Sequence, residues 1–270
     1  MKNILVPLED HRGNPSVFRT AELIAGKFGS RVEVVPLGPD FDALIAAHFA
    51  FPIAVGNEKA QRELLTQLRA IFEERNRSLP AGQAFAWNGD DLFSDIKIGA
   101  YGRVFDLTIV GRPSADPRDP RQATLETVLF ESGRPILVAP PQPPKGPIGE
   151  VIVIAWNAST ETARTVGFAM PFLKGARKVI IVSVNGAMSP GPGPELLAES
   201  LKRHGLDVTH EVLSDNSQSA GRLILARVAA EGADLLLKGG YTQSRLRQMV
   251  FGGTTSQILA EAEIPVFMAH

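Results

Sequence analysis

The chain has 270 residues, 28 Lys and Arg against 29 Asp and Glu, 44% hydrophobic residues and no cysteine. These values suit one large or two medium globular domains, and exclude fibrous, disordered and disulfide-stapled classes. A formal charge of −1 gives no long-range attraction for nucleic acid or anionic lipid, and the missing thiols exclude thiolate catalysis, zinc–thiolate centres and iron–sulfur ligation.

The first apolar run, Asn3-Ile4-Leu5-Val6-Pro7-Leu8, is short, rich in β-branched residues and closed by Glu9 and Asp10. It predicts a strand buried on both faces, and is too short for a signal peptide. From Phe41 to Arg77 the pattern predicts one or two longer helices; the apolar window Ala43 to Val55 contains His48 and Pro52 and falls short of the ~20 residues of a membrane span. Strands are expected at Asp106 to Gly111 and Arg134 to Ala139, with a helix beginning near Thr124 between them. Five prolines between Ala139 and Pro147 predict a semi-rigid extended connector.

Beyond it the text repeats. Val151-Ile152-Val153-Ile154-Ala155-Trp156 matches the opening run, Asp234 to Gly239 matches Asp106 to Gly111, and Ile264 to Ala269 matches Arg134 to Ala139. The economical reading is a duplication: domains 1–140 and 150–270 joined by a linker at 141–149, each unit large enough for its own core. In the second copy strands are expected near 151–156, 178–184, 207–213, 234–238 and 265–269, and helices near 160–173, 193–204, 218–231 and 255–262. In the third of these helices Leu223, Ala226 and Ala230 are expected on the buried stripe. Alternating strands and helices imply βαβ units, hence parallel sheets with helices on both faces.

Open parallel sheets bind ligands at the carboxyl ends of their strands, so the loops after Trp156, Val184 and Lys238 are the informative ones. The third runs Gly239-Gly240-Tyr241-Thr242-Gln243-Ser244-Arg245-Leu246-Arg247-Gln248-Met249-Val250-Phe251-Gly252-Gly253-Thr254-Thr255-Ser256. Glycines permit close backbone approach, and a hydroxyl-rich helix start favours a phosphate. The plainer reading is that Gly252 ends a short helix and Thr254 or Thr255 caps the next. Arg245 and Arg247 reach a phosphate in one reading and solvate an outer face in the other. Trp156 stacks on an adenine or packs in the core, and Asn157 contacts adenine or ribose or caps the following helix. No P-loop, dinucleotide fingerprint, nucleophile elbow or His-Glu-x-x-His run occurs in the sequence, so no metal site is expected.

The loop from Gly239 resembles the nucleotide loop of the universal stress protein family: Gly, two residues, Gly, nine residues, then Gly and a small or hydroxyl residue. Gly239 and Gly252 match the first and third positions, and Thr242 replaces the second glycine. Gly253 stands where many members have Ser or Thr, with Thr254 and Thr255 following. Ala155-Trp156-Asn157-Ala158-Ser159 is similar to the family's strand end, with Ala158 in place of a glycine. The resemblance implies a tandem member: two Rossmann-like α/β domains, each an open five-stranded, mostly parallel sheet with helices on both faces. It implies an ATP site, with Mg, in the second domain only, drawn from Ala155, Trp156, Asn157, Val184, Gly239, Thr242, Arg245, Gly252, Gly253, Thr254 and Thr255.

The first copy has Arg112 to Arg121 in place of that loop, with three prolines and no glycine, and Glu9, Asp10 and Glu126 would oppose a phosphate. It is expected to be a non-binding structural copy. The leading expectation is therefore a cytoplasmic, non-catalytic stress-response protein with at most slow ATP hydrolysis, no nucleic-acid partner and no membrane partner. The rivals are a nucleotide-free interaction or scaffold module, and a small-molecule hydrolase or transferase on the same fold. By resemblance, the halves are expected to meet as a pseudo-dimer through Ile136 to Ala139 and Val266 to Ala269, with further homodimerisation open.

Overall fold

A computed structural model describes residues 1–9, 14–38, 57–80, 82–114, 119–215, 217–240 and 253–270. The first half contains β1 (Asn3–Leu8), α1 (Asn14–Phe28), β2 (Arg31–Pro36), α2 (Asn57–Arg77), β3 (Ala86–Trp87), α3 (Asp95–Tyr101), β4 (Leu107–Gly111), α4 (Pro120–Glu131) and β5 (Ile136–Ala139). The second contains β6 (Val151–Ala155), α5 (Thr160–Leu173), β7 (Lys178–Val184), α6 (Pro194–Lys202), β8 (Val208–Leu213), α7 (Ala220–Ala230), β9 (Leu235–Gly239), α8 (Thr254–Glu261) and β10 (Val266–Ala269). No helix among the described residues is long and apolar enough to cross a membrane.

The strands form one ten-stranded sheet in the order β3-β2-β1-β4-β5-β10-β9-β6-β7-β8. Pairing is parallel within each half, as the nearly all-apolar strands require, since both faces are covered. Among the described strands one antiparallel pair joins the halves, with Val266 opposite Val138, Phe267 opposite Leu137 and Met268 opposite Ile136. Two five-stranded sheets thus satisfy each other's inner edges and become continuous. Antiparallel pairing of equivalent strands also places the carboxyl ends of the first half's strands at one edge of the sheet and those of the second half at the opposite edge.

Both faces are packed across the junction. One apolar layer holds Ile4, Val6, Phe18 and Ile24 together with Ile152, Ile154, Phe172 and Phe267; the other holds Leu5, Val110, Leu125 and Val138 together with Val153, Leu236, Ile258 and Met268. On the first face Phe28 meets Phe172 edge-on at 4.8 Å, and Phe172 meets Phe267 at 5.7 Å, so aromatic contacts run from α1 through α5 to β10. The proline-rich segment has no helix or strand and lies against α1: Ser16 Oγ donates to the Pro140 carbonyl at 2.6 Å and lies 3.2 Å from that of Gln142, and Ile148 is buried.

Two expectations need correction. Helix α4 begins at Pro120 instead of near Thr124, because Asp119 caps it and proline is pre-organised at the first helical position. In α7 the buried stripe is Gly221, Ile224 and Val228, whereas Leu223 is half-buried and Ala226 and Ala230 are exposed. The larger β-branched side chains take the core face, and Arg227 faces Glu211 and Glu231, with which it pairs. Of the long helical stretch expected from Phe41, residues 57–77 are helical and 41–56 lie outside the described residues.

Candidate functional site

In the second half β6 lies between β9 and β7, so the chain leaves β6 and β9 toward different neighbours and a crevice opens at their carboxyl ends. Ala155 ends β6 in register with Lys238 of β9. Trp156 follows, only 5% exposed, with Nε1 donating to the Pro192 carbonyl at 2.9 Å. Its ring is therefore core, and the adenine-stacking reading of Trp156 is corrected: an indole fully packed with its N–H bonded presents no face to a ligand.

Asn157 stands at the turn. Its Oδ1 accepts from Ser159 N at 3.3 Å and from Thr162 Oγ1 at 2.5 Å, and its Nδ2 donates to nothing among the described residues. The helix cap itself is Ser159, whose Oγ accepts from Thr162 N. Between them Ala158 takes φ +63°, a left-handed conformation that no other described non-glycine residue adopts. Such backbone costs a residue with a Cβ about 1 kcal/mol. Ala158→Gly is expected to raise stability by about 0.5 to 1 kcal/mol in urea titrations, and a loss instead would show that the methyl packs productively against Gly191.

The β7–α6 loop folds over this turn: Ser189 N donates to Asn157 O at 2.8 Å, and a Cβ on Gly191 would come within 3.0 Å of Ala158. Val184, at the end of β7, is buried. Across the crevice Gly239 closes β9, and a Cβ there would stand 2.6 Å from Thr162 N and Oγ1, so only glycine lets α5 approach. Gly240 approaches Leu129 of α4, which brings the first half to the wall of this crevice.

Helix α8 starts at the same edge. Its N-cap is Gly253, with no side-chain cap, so the expectation that Thr254 or Thr255 caps the helix is corrected; Thr255 is buried and Thr254 half-buried. A helix start without a side-chain acceptor keeps its first N–H groups for solvent or a ligand. Thr242, Arg245 and Gly252 lie outside the described residues.

Sequence reasoning missed Lys238. It follows three leucines in β9 and is 6% exposed, its Nζ donating to the Gly239 carbonyl at 2.9 Å. Burial pushes its ammonium down to about 8, an effect that the carboxylate of Glu161 partly opposes. The legible signal was a cation inside an otherwise apolar strand.

The matching crevice of the first half is filled by its own side chains. Asp119 caps α4 and accepts from Ser114 N (2.7 Å), Arg121 N (3.1 Å) and the Arg121 guanidinium, while Arg121 also donates to the Arg112 carbonyl. Burial opposes ionisation of Asp119, yet these bonds hold its carboxyl below the usual range. The remaining cavity, lined by Pro7, Glu9, Asn14, Gly111, Arg121 and Thr124 among others, has about 10 Å³, room for at most one water. Thr124 Oγ1 lies 2.8 Å from both Glu9 Oε1 and Asp95 Oδ1, and Glu9 Oε2 is buried without a hydrogen-bond partner among the described residues. Burial is the chief cause that raises the Glu9 carboxyl to about 7; the Thr124 hydroxyl pulls it down and Asp95 pushes it up.

Comparison with known proteins gives a consistent picture. Residues 150–270 match the sequence model of the universal stress protein family. A universal stress protein from Archaeoglobus fulgidus superposes over 99% of this chain and 95% of its own, with TM-score 0.76 and 14% identity. A functionally unknown protein from Pseudomonas aeruginosa PAO1 covers 99% of this chain and 92% of its own, at TM-score 0.53 and 17% identity. The cytoplasmic domain of a prokaryotic cation chloride cotransporter covers 98% and 94%, at TM-score 0.55 and 14% identity. At these identities the likeness is one of fold. No curated protein matches the chain.

Proposed function

Since residues 150–270 match the universal stress protein family, we propose that the chain is a cytoplasmic, non-catalytic stress-response protein that binds an adenine nucleotide at the carboxyl edge of its second half. The observation that carries this reading is the contrast between two equivalent helix starts. In the first half the N-terminus of α4 is capped by the protein's own carboxylate, Asp119; in the second the N-terminus of α8 has a glycine cap and no side-chain acceptor. A phosphate would take in the second half the place that Asp119 takes in the first. Gly239, Gly253, Thr254 and Thr255 are assigned to the phosphates, with Thr242, Arg245 and Gly252 of the intervening loop. The free amide N–H₂ of Asn157 is assigned to base or ribose, and Ala155 and Val184 to the apolar floor. Magnesium would enter with ATP. Any ATP hydrolysis is expected to be slow.

Mass spectrometry of small molecules released on denaturing the purified protein is the direct test. Adenine nucleotide is the expected finding. At a ligand concentration 100 times Kd, linkage adds ~2.7 kcal/mol, roughly 5 to 10 °C in the thermal midpoint. Absence of both a released nucleotide and a shift at millimolar ATP with magnesium would favour the interaction-module reading instead.

A further inference from the structure

We propose that Lys238 is a phosphate ligand of the second-half crevice, its ammonium held in the protein interior for direct contact with a polyphosphate chain. The inference deepens the nucleotide reading and rests on it only for the identity of the base-bearing part.

An ammonium carries three donors, and among the described residues that of Lys238 uses one, on the carbonyl of the next residue, Gly239. It forms no ion pair there; Glu161 acts on it only at longer range. A buried cation without a bonded counter-charge is costly, and replacing it by an apolar side chain of similar volume is the usual route to a more stable interior. This strand offers that alternative plainly, since Leu235, Leu236 and Leu237 precede the position. A lysine here is explained if an anion completes its shell.

The fold says where that anion comes from. Lys238 lies in register with Ala155 on one side and Met268 on the other, and its bond to Gly239 turns the ammonium toward the carboxyl edge. Helix α8 connects β9 to the parallel strand β10, so its N-terminus opens at that same edge, with no side-chain cap among the described residues. A fixed positive helix end and a buried ammonium at one edge define a site for multiply charged phosphate. The carboxylate of Glu161, in the first turn of α5, acts on this ammonium only through space and leaves its remaining donors to a ligand.

The test is calorimetric titration of the full chain with ATP, adenosine and inorganic pyrophosphate, comparing wild type with Lys238→Met and Lys238→Arg. The expected result is a loss of at least tenfold in affinity of Lys238→Met for ATP and pyrophosphate, with adenosine bound as in wild type and partial recovery in Lys238→Arg. A merely structural role would move all three ligands alike. Equal ATP affinity in wild type and Lys238→Met would overturn this inference and leave the nucleotide reading standing. Pyrophosphate bound through Lys238 without any preference for ATP would support it while removing the nucleotide reading. Wild type that takes up neither ATP nor pyrophosphate at millimolar concentration would end both.

Discussion

Phe267→Ala is expected to cost about 3 to 5 kcal/mol and to lower the unfolding midpoint of both halves together. Phe267 is fully buried, lies opposite Leu137 in the antiparallel pair, and packs edge-on against Phe172. Removing the ring leaves a cavity whose walls belong to α5 and to strands of both halves, and strands hydrogen-bonded on both sides have little freedom to collapse into it. Each half carries one tryptophan, Trp87 in β3 and Trp156 after β6, so urea unfolding can be followed separately in Trp87→Phe and Trp156→Phe backgrounds. The continuous sheet predicts coincident transitions in the parent and an equal downward shift with Phe267→Ala. A cost below about 1 kcal/mol, or a shift confined to the Trp156 signal, would mean that the junction does not couple the halves.

The outcome bears on what a sequence shows unaided. Strands of the second half were legible to within a residue or two because all-apolar, β-branched runs bounded by polar turns leave few alternatives; β6, β7 and β9 lie where such runs stand. The meeting of β5 with β10 was legible only through the family resemblance, since no local pattern distinguishes an edge strand that pairs with its duplicate from one that does not. Helix α7 shows a limit of periodicity. Alanines fit either face, so a stripe drawn through Ala226 and Ala230 lost to one through Ile224 and Val228. The start of α4 was hidden because three prolines read as an unbroken loop, whereas Pro120 directly after Asp119 is a helix opening.

At the candidate site the glycines announced themselves, as at Gly239, where α5 leaves no space for a Cβ. The strained turn at Ala158 was foreshadowed by the missing glycine but fixed only by its backbone. Lys238 stood out only as a cation in an apolar run, and Glu9 gave no sign of being a buried charge. Charge is read from sequence as solvent exposure, and only tertiary packing shows that a lysine after three leucines stays inside, or that Glu9 meets Thr124 from 115 positions away.

Glu9→Gln is expected to leave stability nearly unchanged at pH 5 and to raise it by about 3 kcal/mol at pH 8. The folded chain raises the Glu9 carboxyl from 4.5 to about 7, so between those values it holds a proton that the unfolded chain has released. Proton binding therefore contributes stability that is fully present below about pH 4.5 and is lost as the pH rises through 7; at ~1.4 kcal/mol per unit, a shift of this size is worth about 3 kcal/mol. Burial supplies the structural reason, helped by the nearby Asp95 carboxylate and partly opposed by the Thr124 hydroxyl. The single hydroxyl proton of Thr124 cannot serve both Glu9 and Asp95, each 2.8 Å away, and a protonated Glu9 completes the chain by donating in its turn. The amide of glutamine supplies a donor at every pH and never ionises, so the variant should lack the decline that wild type shows between pH 5 and pH 8. Asp119 does not imitate this effect, because its carboxyl is lowered: its contribution is present above its unfolded value of 3.8 and is lost only in stronger acid. Urea titrations of both proteins at half-unit steps from pH 5 to pH 8 decide the matter. Parallel stability curves, or a Gln variant weaker than wild type at pH 8, would show that Glu9 is ionised throughout, its charge met by Arg121, and that the cavity of the first half holds no proton of its own.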